Sequence, residues 1–385
     1  MSDSILRELA AVLRDAGYAT ALRERLHLTY PDDIGLLNHA PAMERVAADK
    51  SAAGSLIRLF YLEAVEPLMA ARRALTQPQI DRLVAAALLR VDGRGLTARL
   101  RVDAVGDHYV MADLRFRSND RRALKLPGSD PVYPPGSDSM MLREIIPTDA
   151  ATAVLDLCTG TGVQGLACAG TAARVVAVDI NPRAAAMARL NAYMNGIDNL
   201  EVRAGDLYAA VRLERFDLVL ANPPFVSSPY QSGPAYHAGG ATGDRILRRI
   251  IKGLPSHLLA GGRFFAVSHV GMRRGEELPE VARRWFAGFR GRALVLTVEQ
   301  GTPVDLAAAQ ALFALRQGLK AYAAEVRLWV SYLQRHRIAT IVALLIAAEN
   351  TDQSTVEVID AQPRVLPLPL TPTPAMRVKE WLARR

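Results

Sequence analysis

Cysteine is almost missing from this chain: Cys158 and Cys168 are the only two among 385 residues. A disulfide-stapled secreted scaffold is thereby excluded, and a reducing cytoplasm is the expected location. Histidine is sparse as well, and neither His237 nor His269 has the spacing of a metal-ligand motif, so no metal is expected. Long apolar runs are lacking. The longest, Ile338 to Ala348, falls well short of the ~20 residues that a membrane-spanning helix needs. The first residues intersperse Asp3, Arg7, Glu8, Arg14 and Asp15 with apolar side chains, the pattern of an amphipathic helix and not of a signal peptide.

Lysine occupies only five positions, Lys50, Lys125, Lys252, Lys320 and Lys379, yet the net charge is +8 and the sequence pI about 9.7. Arginine supplies the difference. Such a balance suits a nucleic-acid partner through phosphate attraction, but an arginine bias in an alanine-rich chain also follows from genome composition. The densest cluster, Arg115, Arg117, Arg121, Arg122 and Lys125, is relieved only by Asp120 and reads as a solvated face in a linker. Half of the residues are hydrophobic, which is ample for a core. At this length two domains are expected, residues 1–130 and 131–385.

The N-terminal part reads as mainly helical. Ile5, Leu6, Leu9 and Leu13 follow helical spacing, as do Leu56, Leu59, Phe60 and Ala64. Thr76-Gln77-Pro78-Gln79 is a capping-box pattern opening a helix over Ile80 to Leu89. Alternation from Leu96 to Val102, the Gly106-Asp107 turn and the run His108 to Leu114 predict a hairpin. Helices followed by a hairpin resemble a winged helix. Such a module can carry a helix into a DNA groove, but Ile80 to Leu89 offers few side chains able to read bases, and its apolar face favours a lid or dimer role.

The chemistry is concentrated further along. An apolar strand ends in Val154-Leu-Asp-Leu-Cys-Thr-Gly-Thr-Gly162, with Asp156 ahead of a glycine turn, and a second strand, Val175 to Asp179, ends in another carboxylate. In a doubly wound α/β sheet, ligands lie across the carboxyl ends of such strands, and glycines let the backbone come close. Gly160, Gly162 and Gly165 also spell the dinucleotide fingerprint G-x-G-x-x-G. Asp156 argues against a pyrophosphate, which it would repel, and for a ligand carrying positive charge. Further on stand Ala204-Gly-Asp-Leu207 and Phe216-Asp-Leu-Val-Leu-Ala-Asn-Pro-Pro-Phe225.

From about Ala153 to Val270 these motifs resemble the class I S-adenosylmethionine (SAM) dependent methyltransferases of the Asn-Pro-Pro-aromatic subgroup, the methyltransferase small domain type. The subgroup includes the HemK-type release-factor glutamine methyltransferases and several adenine-N6 and guanine-N2 methyltransferases. Ala188, Asn191, Ala192, Asn195 and Gly196 are similar to its A-x-x-N-A-x-x-N-G helix end. The resemblance implies an α/β fold, a Rossmann-like seven-stranded sheet, beside the N-terminal winged-helix-like domain. It also implies S-adenosyl-L-methionine as cofactor. Asp156, Thr159, Gly160 and Gly162, with Thr161 between them, are implied around its amino-acid part, Asp179 and the adjacent Ile180 at the ribose, and Asp206 with Leu207 toward the adenine. An N-terminal module of this kind departs from the smaller helical domain of the HemK-type enzymes.

The catalytic expectation rests on Asn222, Pro223, Pro224 and Phe225. An amide or exocyclic amine nitrogen has a delocalised lone pair, so attack on a methyl group requires rehybridisation that the site must favour over the ground state. The Asn222 side-chain oxygen and the Pro223 carbonyl are suited to accept the two N–H bonds, and Phe225 to stack on the acceptor plane. Two prolines hold these acceptors in place beforehand. Tyr133 and Ser137, in the proline-rich stretch Leu126 to Leu142, and Tyr230, Tyr236 and His237, in the loop Val226 to Gly243, are candidate acceptor contacts. Ser137, Asp138 and Ser139 can equally cap a helix from Met140, and Asp244 a helix from Arg245 to Lys252. Strands are expected over Arg263 to Val270, Ala293 to Val298 and Ile338 to Ala347, with Ala307 to Arg335 largely helical and Val365 to Pro374 an extended cover.

The expected function is SAM-dependent N-methylation of a planar amine or amide. Small-molecule N- or O-methylation, with the N-terminal module as lid or dimer domain, and rRNA or tRNA base methylation are the alternatives. The acceptor classes are therefore a protein amide, a nucleobase and a small metabolite, with a homodimer possible and no membrane partner. A non-catalytic nucleic-acid module and an NAD-type dehydrogenase are competing readings. They part experimentally. In a thermal-shift panel S-adenosylhomocysteine is expected to raise the melting temperature and NAD to leave it unchanged; the reverse result assigns the glycine turn to a dinucleotide.

Overall fold

The computed structural model describes residues 3–93, 95–116, 126, 130–147, 149, 151–230, 239–361 and 373–384. Arg117, Arg121, Arg122 and Lys125 of the basic cluster, Tyr236 and His237, and most of the tail from Val365 lie outside the described residues. Two compact units divide the chain, and they interleave in sequence. The first gathers Met1–Met140, Thr159–Ala169 and Asp179–Ala204; the second gathers Met141–Cys158, Gly170–Val178 and Gly205–Arg385.

In the first unit, helices Asp3–Asp15, Tyr18–Leu26 and His39–Ala47 lead to a short helix, Ala52–Leu56, that widens into a π-helical turn, Ile57–Tyr61. Strands β1 (Glu66–Pro67), β2 (Leu89–Asp92) and β3 (Gly95–Ala98) form one small antiparallel sheet, and β4 (Arg101–Val105) and β5 (His108–Ala112) a hairpin. The capping box is present: Thr76 and Gln79 close the start of helix Gln77–Ala85. That helix stops short of Leu89, because Ala87 turns left-handed at φ 59° and sends the chain into β2. The hairpin turns at Gly106-Asp107 as expected, with Val105 opposite His108. The alternating stretch before it, however, divides between two sheets. Arg99 N–H bonds Leu88 O, and from Arg101 onward the chain pairs with β5 instead.

A buried ion pair explains the divide. Arg101 and Asp103 are fully buried, the guanidinium also donates to Tyr61 O at 3.1 Å and Pro31 O at 2.8 Å, and it lies 3.8 Å over the Tyr61 ring. A charge this deep persists only with all its donors satisfied. Helix Pro182–Met194 belongs to the same unit and shares its core through Ala184, Met187 and Met194. Asn191 takes Met111 N–H at 2.7 Å and donates to Met111 O and Thr161 O; Asn195 takes Tyr109 N–H at 2.9 Å and donates to Tyr109 O. Two side-chain amides thus stand in for a neighbouring strand along the edge of β5. The match is geometric, since four helical residues rise ~6 Å and two strand residues ~6.7 Å. Arg183 adds a buried bidentate pair with Asp113.

The second unit carries the main sheet. Along the chain come β6 (Ala151–Leu157), β7 (Ala172–Asp179), β8 (Leu200–Ala204, in the first unit), β9 (Phe216–Ala221), β10 (Leu258–Arg273), β11 (Gly291–Gly301), β12 (Ile338–Glu349) and β13 (Ser354–Asp360). Within this unit the order is β13-β11-β12-β10-β9-β6-β7. Pairing is parallel from β7 through β10, and β12 runs antiparallel to both β10 and β11. This mixed, Rossmann-like α/β arrangement agrees with the fold class that the motifs imply. Strand β13, parallel to β11, is an addition that no strong apolar pattern announces. Inside, Leu155, Val176, Val219, Phe264, Val295 and Leu344 belong to one buried cluster. Near-continuous apolar strands of this kind are what burial on both faces demands.

Among the described residues, no helix is long and apolar enough to cross a membrane. Asn191→Leu is expected to strand the polar groups of Met111 and Thr161 and to cost roughly 1–3 kcal/mol for each one left buried, read by urea unfolding. Asn195→Leu, at the part-buried end of the ladder, is expected to cost less. Equal stability of wild type and Asn191→Leu would show that the ladder adds nothing.

Candidate functional site

The residues singled out from the sequence fall in both units, and each set has its own geometry. In the first unit the glycine turn and the second carboxylate meet. Gly160 N–H donates to Asp179 Oδ2 at 2.9 Å, and Asn181 N–H to Asp179 Oδ1 at 2.8 Å. Gly160 and Gly162 have φ of 57° and 85°, the left-handed region that side chains resist. Their reasons differ. A Cβ on Gly162 would lie 3.2 Å from Ala188 Cβ, whereas over Gly160 there is open space. Gly160 therefore serves the turn and leaves its outer side clear, next to a carboxylate, which fits the amino-acid and ribose ends of a nucleoside donor.

Thr159 and Thr161 are buried, and Thr161 O is held by Asn191. Ile180, by contrast, is 61% exposed beside Asp179, an apolar side chain left at the edge of the candidate site. Asn181 was not foreseen. Its side chain accepts from Arg183 N–H at 3.0 Å to cap helix Pro182–Met194, and its amide donates to Asp130 O. The signal was present in the Asn-Pro step, a cap followed by proline at the first helical position. Tyr133 lies exposed in a segment outside helix and strand, and Ser137 begins helix Ser137–Ile145. Ser137, Asp138 and Ser139 are therefore its first turn and not a cap before Met140.

In the second unit, strand register sets the relation that matters most. Asp156 pairs with Leu220, and Leu157 with Ala221, so Cys158 and Asn222 leave neighbouring parallel strands at the same level. Asp156 is buried. Pro223 is buried and Asn222, Pro224 and Phe225 are half-buried. Phe225 stacks on the His269 imidazole, ring centroids 4.4 Å apart and planes 19° from parallel. Behind the corner, Gly239 and Gly243 allow backbone to touch backbone: a Cβ on Gly243 would lie 2.5 Å from Phe225 O and 2.6 Å from His269 O.

One expectation changes. Asp244 does not cap helix Arg245–His257, because its carboxylate instead takes Trp285 Nε1–H at 2.9 Å and Thr242 Oγ–H at 2.6 Å. Asp206 is half-exposed and pairs with Arg249 at 2.8 Å, while the adjacent Leu207 is buried. Tyr230 is tied to helix Leu319–Arg335, its hydroxyl donating to Glu325 Oε1 at 2.5 Å. Glu325 and Trp329 had no local motif to flag them, since only folding brings them to the segment after Phe225. Among the described residues no group of three or more His, Cys, Asp or Glu side chains could hold a metal ion.

Comparison with known proteins gives two matches to families. The methyltransferase small domain family matches residues 135–285, and a domain of unknown function, DUF7059, matches residues 37–99. A putative protein N5-glutamine methyltransferase of Methanocaldococcus jannaschii is 36% identical over 145 residues, 36% of this chain and 73% of that protein. The ribosomal protein uL3 glutamine methyltransferase of Bordetella pertussis is 33% identical over 38% of this chain and 54% of its own length. A release factor glutamine methyltransferase of Cereibacter sphaeroides is 38% identical over 29% of this chain and 44% of its length. The chain thus spans about half the length of the latter two.

Asp179 makes the cofactor assignment testable by pH. Burial raises its carboxyl above the ordinary 3.8, outweighing the N–H donors of Asn181, Gly160 and Ile180. Without ligand, the folded chain holds this proton more tightly than the unfolded one, so the group's stabilising contribution falls as pH rises from 3.8 through the raised value. Ribose hydroxyls donate to the ionised form, so ligand binding has the opposite dependence. S-adenosylhomocysteine affinity, measured by calorimetry, is expected to fall as pH drops through that raised value, and Asp179→Asn to lose both the affinity and the acid limb. Unchanged affinity in the variant would remove Asp179 from the ribose site.

Proposed function

The chain belongs to the methyltransferase small domain family, and from that premise we propose that it is a SAM-dependent N-methyltransferase whose acceptor is the side-chain amide of a glutamine in a protein. The observation that carries the proposal is the β6–β9 register, which brings out the Asn222 corner beside the end of β6, the strand that carries Asp156. Support for the acceptor comes from the three relatives named above, each of which bears the name of a glutamine methyltransferase. A soluble, cytoplasmic location fits such a substrate.

In this reading Asp156 and the turn from Thr159 to Gly162 hold the amino-acid end of SAM, Asp179 with Ile180 the ribose, and Asp206 with Leu207 the adenine. Bound SAM supplies an electrophilic methyl group on a sulfonium, whose C–S bond breaks as the acceptor nitrogen takes the methyl. The chain's own part is to prepare that nitrogen. Asn222 Oδ1 and the Pro223 carbonyl accept its two N–H groups, draw it out of conjugation and leave the lone pair directed at the donor. Because the prolines pre-set the corner, these acceptors need no reorganisation when substrate arrives. Phe225, backed on one face by His269, offers its other face to the planar amide. The proton leaves the methylated nitrogen for water, so no general base is required.

We assign this chemistry to residues 131–385, and to residues 1–130, the winged-helix-like module, contacts with the acceptor or with a second copy of the chain. Labelled methyl transfer into fractionated cell extract is expected to place the label in protein; label in nucleic acid or small molecules alone would overturn the acceptor class. Asn222→Ala is expected to keep S-adenosylhomocysteine binding while lowering turnover by about 10²–10³-fold or more. Retained turnover would mean that the corner does not hold the acceptor.

A further inference from the structure

We propose that Glu325 is a positioning residue for the acceptor, using Tyr230 and Trp329 to fix the segment that leaves the Asn222–Phe225 corner. The inference rests on the function proposed above, and it concerns a part of the chain beyond the family match, which ends at residue 285.

Topology puts the helix at the right end of the sheet. Strand β10 is parallel to β9, β12 antiparallel to β10, and β11 antiparallel to β12. Strand β11 therefore runs in the direction of β9, and its last residue, Gly301, lies at the sheet end where Asn222 emerges. Between β11 and β12 the chain inserts helix Pro303–Ala311, a 3-10 turn and helix Leu319–Arg335. Thr302 and Asp305 form a capping box at the entry, Thr302 N–H to Asp305 Oδ2 being 2.7 Å. An ordered helical insert thus leads off the catalytic end of the sheet.

Contact with the segment that follows the corner is specific. A single oxygen of Glu325, Oε1, accepts from the Tyr230 hydroxyl at 2.5 Å and from Trp329 Nε1–H at 2.9 Å. Glu325 and Trp329 stand one helical turn apart, so the carboxylate and indole share a helix face. The Trp329 side chain is buried and meets the Tyr230 ring edge-on, centroids 6.4 Å apart at 71°. Tyr230 remains 44% exposed; partial desolvation and the hydrogen bond to Glu325 push its phenol up to about 12, and like any phenol it donates at neutral pH. On the other side, Ser228 Oγ accepts Tyr230 N–H at 3.2 Å, and Ser227 and Ser228 are both buried. The five residues after Phe225 are therefore pinned at their far end by a charge-assisted bond, the stronger kind. A segment held this way keeps the stacking face of Phe225 and the acceptors at Asn222 and Pro223 in one orientation while the acceptor docks.

The test separates positioning from the reaction itself. In the full-length protein, Glu325→Leu and Tyr230→Phe are each expected to raise hydrogen exchange at the backbone amides of Val226, Ser227, Ser228 and Tyr230 by about tenfold, with S-adenosylhomocysteine affinity within about twofold of wild type. Label transferred from SAM into the protein fraction of cell extract is expected to fall about tenfold and to recover in part at higher extract concentration, a KM effect. Glu325→Gln, which keeps an acceptor oxygen, is expected to retain most of the protection. Exchange unchanged in both Glu325→Leu and Tyr230→Phe would overturn the positioning role. Wild-type protein that transfers no label would instead overturn the function and with it the acceptor role, and the exchange result would then decide only whether Glu325 holds the segment 226–230.

Discussion

The parallel pairing of β6 with β9 is the constraint on which the candidate site depends. Leu157 opposite Ala221 sets the level at which two adjacent strands end, and with it the level at which one chain enters a glycine turn and the other the Asn-Pro-Pro corner. Both strands are apolar and buried on both faces, so alternation alone does not choose their register. What limits them is the polar group at each end. Asp156 lies one residue from the end of β6, and the rigid prolines at 223 and 224 cannot join a ladder in the interior of the sheet.

Around that register the chain uses polar side chains where backbone would ordinarily serve. Asn191 and Asn195 satisfy the edge of β5 in place of a further strand, which explains why both positions of the A-x-x-N-A-x-x-N-G pattern carry asparagine. Arg101, held by Asp103, does the same for two carbonyls, Tyr61 O at the end of the π-helical turn and Pro31 O. Such groups add modest net stability, but removing one partner leaves an uncompensated charge or dipole. They favour a single arrangement over nearby alternatives. Phe225 and His269 follow a related logic, one ring fixing the plane of another so that an incoming amide meets a prepared surface.

Legibility varied with the range of the interaction responsible. Local signals were read well: the capping box at Thr76, the two-residue turn at Gly106 and the apolar strands from Val154 to Leu220 all depend on neighbours within a few residues. Errors arose where a distant group intervened. The stretch from Leu96 to Val102 alternates like one strand, but the need to bury Arg101 against Pro31 and Tyr61 turns it into two. Asp244 has the chemistry of a cap, yet Trp285, 41 residues away, takes its carboxylate. Strand β13 has little apolar pattern because it is an edge with half-exposed side chains, and its pairing with β11 is its main definition.

By itself, then, the order of residues determined the class of fold, the glycine turn with its carboxylates and the Asn-Pro-Pro-Phe corner, because each is a short motif whose backbone preference and charge act locally. Tertiary structure alone decided that Phe225 is backed by His269, that Asn191 and Asn195 complete β5, and that Glu325 reaches Tyr230 from an inserted helix. Those contacts join residues 44 to 95 positions apart, or 80 to 86 for the asparagines. Side chains so far apart have no common local signal. Their meeting follows only from strand order and register, which the packing of the whole core selects.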